Sequence, residues 1–454
     1  MSPTFRSLAN PNYRRYAMGG VVSNVGTWMQ RIAQDWLVLQ LTGYSGAAIG
    51  ITTGLQFLPF LLLSPVAGLV ADRIPKRRLL QLTNVGMAVP ALVLGLLAVT
   101  GTAEIWHVYV LALALGTAAA FDAPARQSFV SEIVGPDDLT NAVGLNSASF
   151  NAARIVGPAV AGVLIAALGG GAVATGWVIL ANAVSYAAPI LTLRRLDPAA
   201  LRTPEPMRRE PGQIRAGVAY VRNRPDLMLI LAIVFFTGTF GLNFQMTSAL
   251  MATQVFGKGA TEYGLLGTFM AVGSLTGSLV AARRPYVRQR LVIAAALVFA
   301  VVEITAGLMP SYLTFALMTP LLGLSALTMI TAANAYMQLH TDEGMRGRVM
   351  ALYMMIFIGG TPLGAPLIGW IGEVAGARWT LILGGLATGL GVSVAALWFA
   401  HVRGVLTPDG GASNLVHRVW DNQTVARAQK LTERQPTPRP AEERIRAHTT
   451  GTSK

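Results

Sequence analysis

The chain has 454 residues, of which 53% are hydrophobic and only 12% charged, and its mean hydropathy is +0.51. A soluble domain carries about 25% charge, so this composition excludes a water-covered globule and makes lipid the solvent for much of the surface. Cysteine is absent, which excludes disulfides, thiolate metal sites and cysteine nucleophiles; the net charge of +14 takes its meaning from where the basic residues fall.

Residues Met1 to Tyr16 are polar and contain Arg6, Arg14 and Arg15. No small-residue cleavage site follows a short apolar core, so no removable signal peptide is expected and the first helix serves as the insertion signal. Apolar runs of about 20 residues, the length that crosses a bilayer, then fall at 17–41, 47–71, 79–100, 105–125, 140–168 and 172–193. A polar stretch rich in Pro, Arg and Glu interrupts them from Arg194 to Arg224, with a short surface helix predicted from Gln213 to Arg222. The runs resume at 227–254, 263–282, 291–308, 312–337, 348–371 and 379–401. The expected fold is an all-α membrane protein with twelve transmembrane helices in two pseudo-symmetric six-helix bundles. The expected domains are an N-terminal bundle (1–193), a cytoplasmic linker (194–226), a C-terminal bundle (227–401) and a tail (402–454). That tail holds Pro436, Pro438, Pro440 and scattered charges, a composition expected to be disordered.

Orientation follows from the basic residues. With the N-terminus inside, almost all fall in inner segments: the N-terminus, Arg73–Arg78, Arg126, Arg194–Arg224, Arg283–Arg290, Arg346, Arg348 and the tail. The outer loops hold only Lys258 and Arg378, and Arg31 and Arg154 lie within helices. The basic excess is therefore a topology signal with anionic lipid as a minor partner. It places a multi-pass chain in the plasma membrane, the inner membrane where there are two, with both termini cytoplasmic, and argues against a nucleic-acid partner.

The two halves echo one another. Leu69-Val-Ala-Asp-Arg73 recurs as Leu279-Val-Ala-Ala-Arg283, and Asn141-Ala-Val-Gly-Leu145 is weakly matched by Arg348-Val-Met-Ala-Leu352. Correct order and near-equal offsets favour duplication.

Few residues carry chemistry. An ionisable group at membrane depth costs about 2.5–3.5 kcal/mol on insertion scales and asks for a reason. Arg31 and Asp35 lie one turn apart on the first helix, with Gln30 and Gln34 alongside, able to pair on one face. They read either as a proton or substrate site or as a permanent ion pair. Arg154, near the middle of the fifth helix, needs a counter-ion, for which Asp35 or Asp122 is available; it serves either structure or an anionic substrate. Glu303, in the outer part of the ninth helix, is a second proton candidate unless it snorkels to water. Asn24 and Asn151 join Gln30 and Gln34 as candidate cavity-lining residues, with Asn146, Gln245 and Asn334 among the weaker ones, unless they hydrogen-bond between helices. The histidines show no metal-ligand spacing, and neither a phosphate loop nor a nucleophile–base pattern is present. No metal, no cofactor, no enzymatic activity and no ATP-driven pumping by this chain alone are therefore expected.

The stretch Gly68-Leu-Val-Ala-Asp72-Arg73-Ile-Pro-Lys76-Arg77-Arg78 resembles the loop signature of the major facilitator superfamily, with Pro75 in place of the usual Gly. Gly157-Pro158 and Gly162 are similar to the antiporter motif of the fifth helix, with Ala153 and Ala161 at two glycine positions. The fourth-helix arginine of the family is absent, Ala112 standing there. Segments Gly26–Gly43, Asp122-Ala-Pro-Ala-Arg126 and Arg154-Ile-Val-Gly-Pro158 resemble the branch of enterobactin and macrolide exporters. The resemblance implies that Gly68, Asp72, Arg73, Lys76 and Arg77, with Asp122 and Arg126, form a cytoplasmic gate, and that Gly157, Pro158 and Gly162 bend the fifth helix and permit close packing. It also implies a monomeric, proton-coupled secondary exporter of a lipophilic drug or siderophore-like metabolite, working by alternating access. An importer or lipid flippase of the same fold, or a non-transporting receptor or scaffold, are the alternatives.

Overall fold

The computed structural model describes residues 3–202, 213–282 and 287–402. The tail beyond Val402, residues 203–212 of the polar interruption, and residues 283–286 of the second basic loop, Arg283 and Arg284 among them, lie outside the described residues. The chain divides into Met1–Ala396 and Leu397–Lys454; every contact discussed below lies in the first unit.

The described residues are almost wholly helical. The long helices are α1 (Pro11–Thr42), α2 (Gly46–Arg73), α3 (Lys76–Val99), α4 (Ile105–Ile133), α5 (Pro136–Ala167) and α6 (Ala172–Arg194, with a break at Tyr186). After the short helix Gln213–Arg222, which forms where the sequence predicts it, come α7 (Pro225–Val255), α8 (Ala260–Ala282), α9 (Gln289–Gly307), α10 (Tyr312–Leu339), α11 (Gly344–Ala375) and α12 (Ala377–Val402). Among the described residues, eleven helices are long and apolar enough to cross a membrane. The exception is α1. Its length of 32 residues is ample, but Arg14, Arg15, Gln30, Arg31, Gln34 and Asp35 lower its hydropathy. The helix that misses the apolar threshold is the one that carries the most unusual side chains.

Local chemistry sets the ends. Asn10 caps α1 by accepting from the amides of Asn12 and Tyr13, and Gly43, with φ of 60°, closes its other end in the left-handed region. Ser45 caps α2 through the Ala48 amide. Pro75 opens α3 directly after α2 stops at Arg73, so the basic loop between them is short and stiff.

Within the first half α2 packs on α4, α3 on α4 and α6, and α1 on α5 and α6; within the second, α8 and α9 pack on α10. Between the halves α2 lies against α11 and α5 against α8. If each helix is matched with the one six places later, these two contacts exchange, as a two-fold relation between duplicated halves requires. The echoed segments accordingly end α2 and α8.

The approach is close because the side chains are small. A Cβ on Gly50 would collide with the Ala365 carbonyl, one on Gly54 would come within 3.2 Å of the Pro362 carbonyl, and one on Gly46 within 2.7 Å of the Gly369 carbonyl. On the other seam Gly162 meets the Ala260 carbonyl and Gly264 meets that of Pro158. Such stripes let backbones touch where lipid offers no hydrophobic drive for association.

Candidate functional site

A cavity of about 400 Å³ lies between the halves, walled by residues of α1, α2, α5, α7, α8, α10 and α11. Its charged residues are Arg31, Asp35 and Arg154; Gln34, Gln56, Asn243, Gln245 and Ser248 add polar atoms, and Trp28, Phe57, Phe244, Tyr263 and Phe357 supply flat apolar surface. A mostly apolar concavity with a few converging polar groups is the usual form of a small-molecule site.

Arg31 and Asp35 share this wall, but they do not form the ion pair expected from their spacing. Asp35 is 8% exposed, and its Oδ2 accepts a hydrogen bond of 2.9 Å from the hydroxyl of Tyr263, on α8 of the other half. The Tyr263 ring stacks on Trp36 at 6.4 Å, and Trp36 in turn donates to the Gly170 carbonyl at 2.8 Å. Arg31 instead lies over Trp28, its Cζ 4.8 Å from the ring centroid, with Phe57 at 5.7 Å. The phenol engages one oxygen of the carboxylate, and the indole face takes the guanidinium.

Arg154 also departs from expectation. Neither Asp35 nor Asp122 is its partner. Its Cζ is 5.7 Å from the Trp28 ring, and its Nη2 donates to Ser274 Oγ of α8 at 3.1 Å. Asp122 is occupied elsewhere, pairing with Arg126 at 2.7 Å on its own helix and accepting from Thr83 at 2.8 Å.

Of the predicted amides, Gln34 lines the cavity and donates to Gln56 at 3.0 Å. Gln30 faces a smaller neighbouring pocket of about 80 Å³ and accepts from Asn182. Asn24 and Asn151 line neither pocket, a correction to the expectation from sequence. Asn151 satisfies its amide on the Ser147 carbonyl of its own helix, at 2.9 Å.

Glu303 does not snorkel. It is 1% exposed and sits between α7 and α12, its Oε2 without a hydrogen-bond partner among the described residues. The point where Gly241 would carry a Cβ lies 3.2 Å from that oxygen and 3.0 Å from Thr388 Oγ1. Gly241 closes a π-helical turn, Thr237–Gly241, sealed by the Leu242 amide bonding back to the Thr237 carbonyl at 2.9 Å. Wide turns of this kind recur at functional sites, and Leu242 and Asn243, just beyond this one, line the cavity.

At the end of the helices bearing the basic loop, Asp72 and Arg73 are exposed at the close of α2, with Gly68 one turn earlier. Lys76 pairs with Glu132 at 2.5 Å, and Arg77 donates to the Leu193 and Arg194 carbonyls that end α6, at 2.7 and 2.8 Å. In the second half Arg224, just before α7, is held above its ordinary pKa by hydrogen bonds to Asp226 at 2.9 and 2.8 Å. These pairs each stay within one half. At the opposite end Glu373 of α11 accepts from Ser45 Oγ at 2.9 Å and from the Ala47 amide at 3.3 Å, capping α2 across the seam. The Gly157–Pro158–Gly162 segment faces both ways: Gly157 abuts Trp28 and Val25 of α1, while Pro158 and Gly162 meet α8.

Sequence reasoning missed Tyr263, Gln56 and Glu132. Gln56 carries the same signal as Gln34, an amide inside an apolar run. Nothing local marks Tyr263, which reaches Asp35 across 228 positions of sequence.

A family model described as a transmembrane secretion effector matches residues 2–434. The staphyloferrin A transporter of Staphylococcus aureus is 25% identical over 367 residues, covering 80% of this chain and 90% of the relative. The multidrug efflux pump Tap of Mycolicibacterium fortuitum is 27% identical over 371 residues, with 80% and 89% covered. The enterobactin exporter EntS of Shigella flexneri is 23% identical over 393 residues, with 85% and 90% covered. Among solved structures, a bacterial homologue of the lysosomal transporter Spinster aligns with a TM-score of 0.66 at 15% identity, over 86% of this chain and 96% of that one. A D-xylose–proton symporter aligns at 0.67 and 11% identity, with 84% and 96% covered. These two likenesses concern the fold.

Proposed function

The chain belongs to the transmembrane secretion effector family of major facilitator transporters, and from that premise we propose that it is a proton-coupled exporter working by alternating access. The observation that carries the reading is the Asp35–Tyr263 hydrogen bond, a bond from one half to the other made by an ionisable group on the wall of the cavity. In the orientation set by the basic residues, the seams at Gly46–Gly54 and Pro158–Gly162 close the outer side. The described ion pairs near the inner side stay within each half, as an inward-facing state requires. The halves 1–193 and 227–401 then rock about the cavity, and the gate residues Lys76 and Arg77, held here by Glu132 and the end of α6, exchange these partners in the opposite state.

Coupling needs an acid whose protonation differs between the two states. Asp35 is that acid in this reading, and Glu303, which does not line the cavity, is the reserve. A membrane potential supplies about 2.3 kcal/mol per charge per 100 mV to the returning proton. The named relatives support export, and a drug or siderophore-like metabolite, as the cargo class. The test is Asp35→Asn in inverted membrane vesicles. Efflux driven by a proton gradient is expected to be lost while exchange at equal pH on both sides survives at saturating substrate; unaltered gradient-driven efflux overturns the assignment.

A further inference from the structure

We propose that the cavity takes an amphoteric small molecule with an aromatic middle: a carboxylate-type anion seated between Arg31 and Arg154 against Trp28, and a protonated amine at Asp35. The inference rests on the exporter reading and adds the chemistry of its cargo.

Two guanidiniums face one indole, at 4.8 and 5.7 Å. Arg31 makes no hydrogen bond or ion pair among the described residues, and Arg154 makes one hydrogen bond, to the neutral Ser274. Each guanidinium carries five N–H donors in a planar fork that matches a carboxylate, and most of these donors are unused. Two like charges that share a wall of low dielectric repel one another, and an anion between them turns that repulsion into attraction. Trp28 stiffens the arrangement by covering one face of the Arg31 guanidinium.

The amine follows from the third charge. Asp35 gives Oδ2 to Tyr263, and its Oδ1 accepts no hydrogen bond among the described residues. Exchange also dictates a sign. A proton on Asp35 and an anion beside Arg31 attract, so a purely anionic cargo would bind together with the proton and could not be traded for it. A cationic amine competes with the proton for the Asp35 carboxylate, which is the relation an antiporter needs. Phe57 and Tyr263 bound the space between the two ends, and flat rings stack well there.

Binding of three fluorescent probes to the purified full-length chain tests this: ciprofloxacin, an aromatic zwitterion; its methyl ester, which keeps the amine alone; and its N-acetyl derivative, which keeps the carboxylate alone. The zwitterion is expected to bind most tightly. Arg154→Gln is expected to weaken the zwitterion and the N-acetyl acid roughly tenfold or more, the size of a lost hydrogen bond to a charged group, and to leave the ester unchanged. Asp35→Asn is expected to do the reverse. A wild-type chain that binds the ester or the acid as tightly as the zwitterion overturns the proposal, and this comparison needs no variant to fold. Inverted vesicles separate the two readings. Binding in this order without gradient-driven movement sinks the exporter and leaves the ligand class standing; movement of the ester in preference to the zwitterion sinks the ligand class and leaves the exporter.

Discussion

Tyr263 and Asp35 form a hydrogen bond of 2.9 Å in a buried setting, and a bond to a charged acceptor contributes about 1.5–3 kcal/mol. Because the partners belong to different halves, that contribution stabilises one arrangement of the halves rather than the fold of either. Tyr263→Phe is therefore expected to slow gradient-driven efflux while the melting temperature of the purified protein changes little; a large loss of melting temperature with unaltered efflux would make the bond merely structural. Glu303 presents the opposite case. Glu303→Gln keeps the shape of the side chain and removes its ionisation, so with Asp35 as the carrier it is expected to leave proton-coupled efflux intact. Loss of coupling in that variant, measured beside Asp35→Asn, would transfer the role to Glu303.

The seams between α2 and α11 and between α5 and α8 depend on absent side chains. At Gly50 of α2 a Cβ would collide with the Ala365 carbonyl of α11, whereas at Gly144 it would meet nothing within 4 Å. Gly50→Leu is expected to cost about 1–3 kcal/mol through overpacking, seen as a lower melting temperature in detergent. Gly144→Ala, in an open helical position, is expected to be neutral or stabilising. Equal effects at the two positions would show that the seam is not tightly packed. The two π-helical turns of α7, Thr237–Gly241 and Met251–Val255, bracket the segment of α7 that lines the cavity, so a change of winding in either turn would move part of its wall.

Across the whole of the first unit, alternating access requires the α2–α11 seam to open. The chain contains no cysteine, so Ser45→Cys with Glu373→Cys, at the 2.9 Å contact, creates a unique pair. Joining these thiols with a short cleavable cross-linker is expected to abolish efflux, and cleaving the linker to restore it. Efflux that continues through an intact cross-link would sink the rocking mechanism.

Composition and the spacing of apolar runs were sufficient to specify an all-helical membrane protein of duplicated halves, because hydrocarbon leaves the backbone no alternative to helix and the pattern of arginines is one-dimensional. The loop motif at Asp72 and the Gly157–Pro158 motif were readable for the same reason: each is a run of neighbours. Which charges pair was not readable. The i, i+4 spacing of Arg31 and Asp35 pointed to an ion pair, yet Asp35 bonds Tyr263 of another helix and Arg31 turns back over Trp28 on its own, with Phe57 of α2 nearby. Arg154 next to Ser274, Glu303 enclosed by Gly241 and Gly384, and the position of Asn24 and Asn151 away from the cavity are likewise decided by how the helices rotate against their neighbours. That rotation is a property of packed surfaces distant in sequence, and only the tertiary structure fixes it.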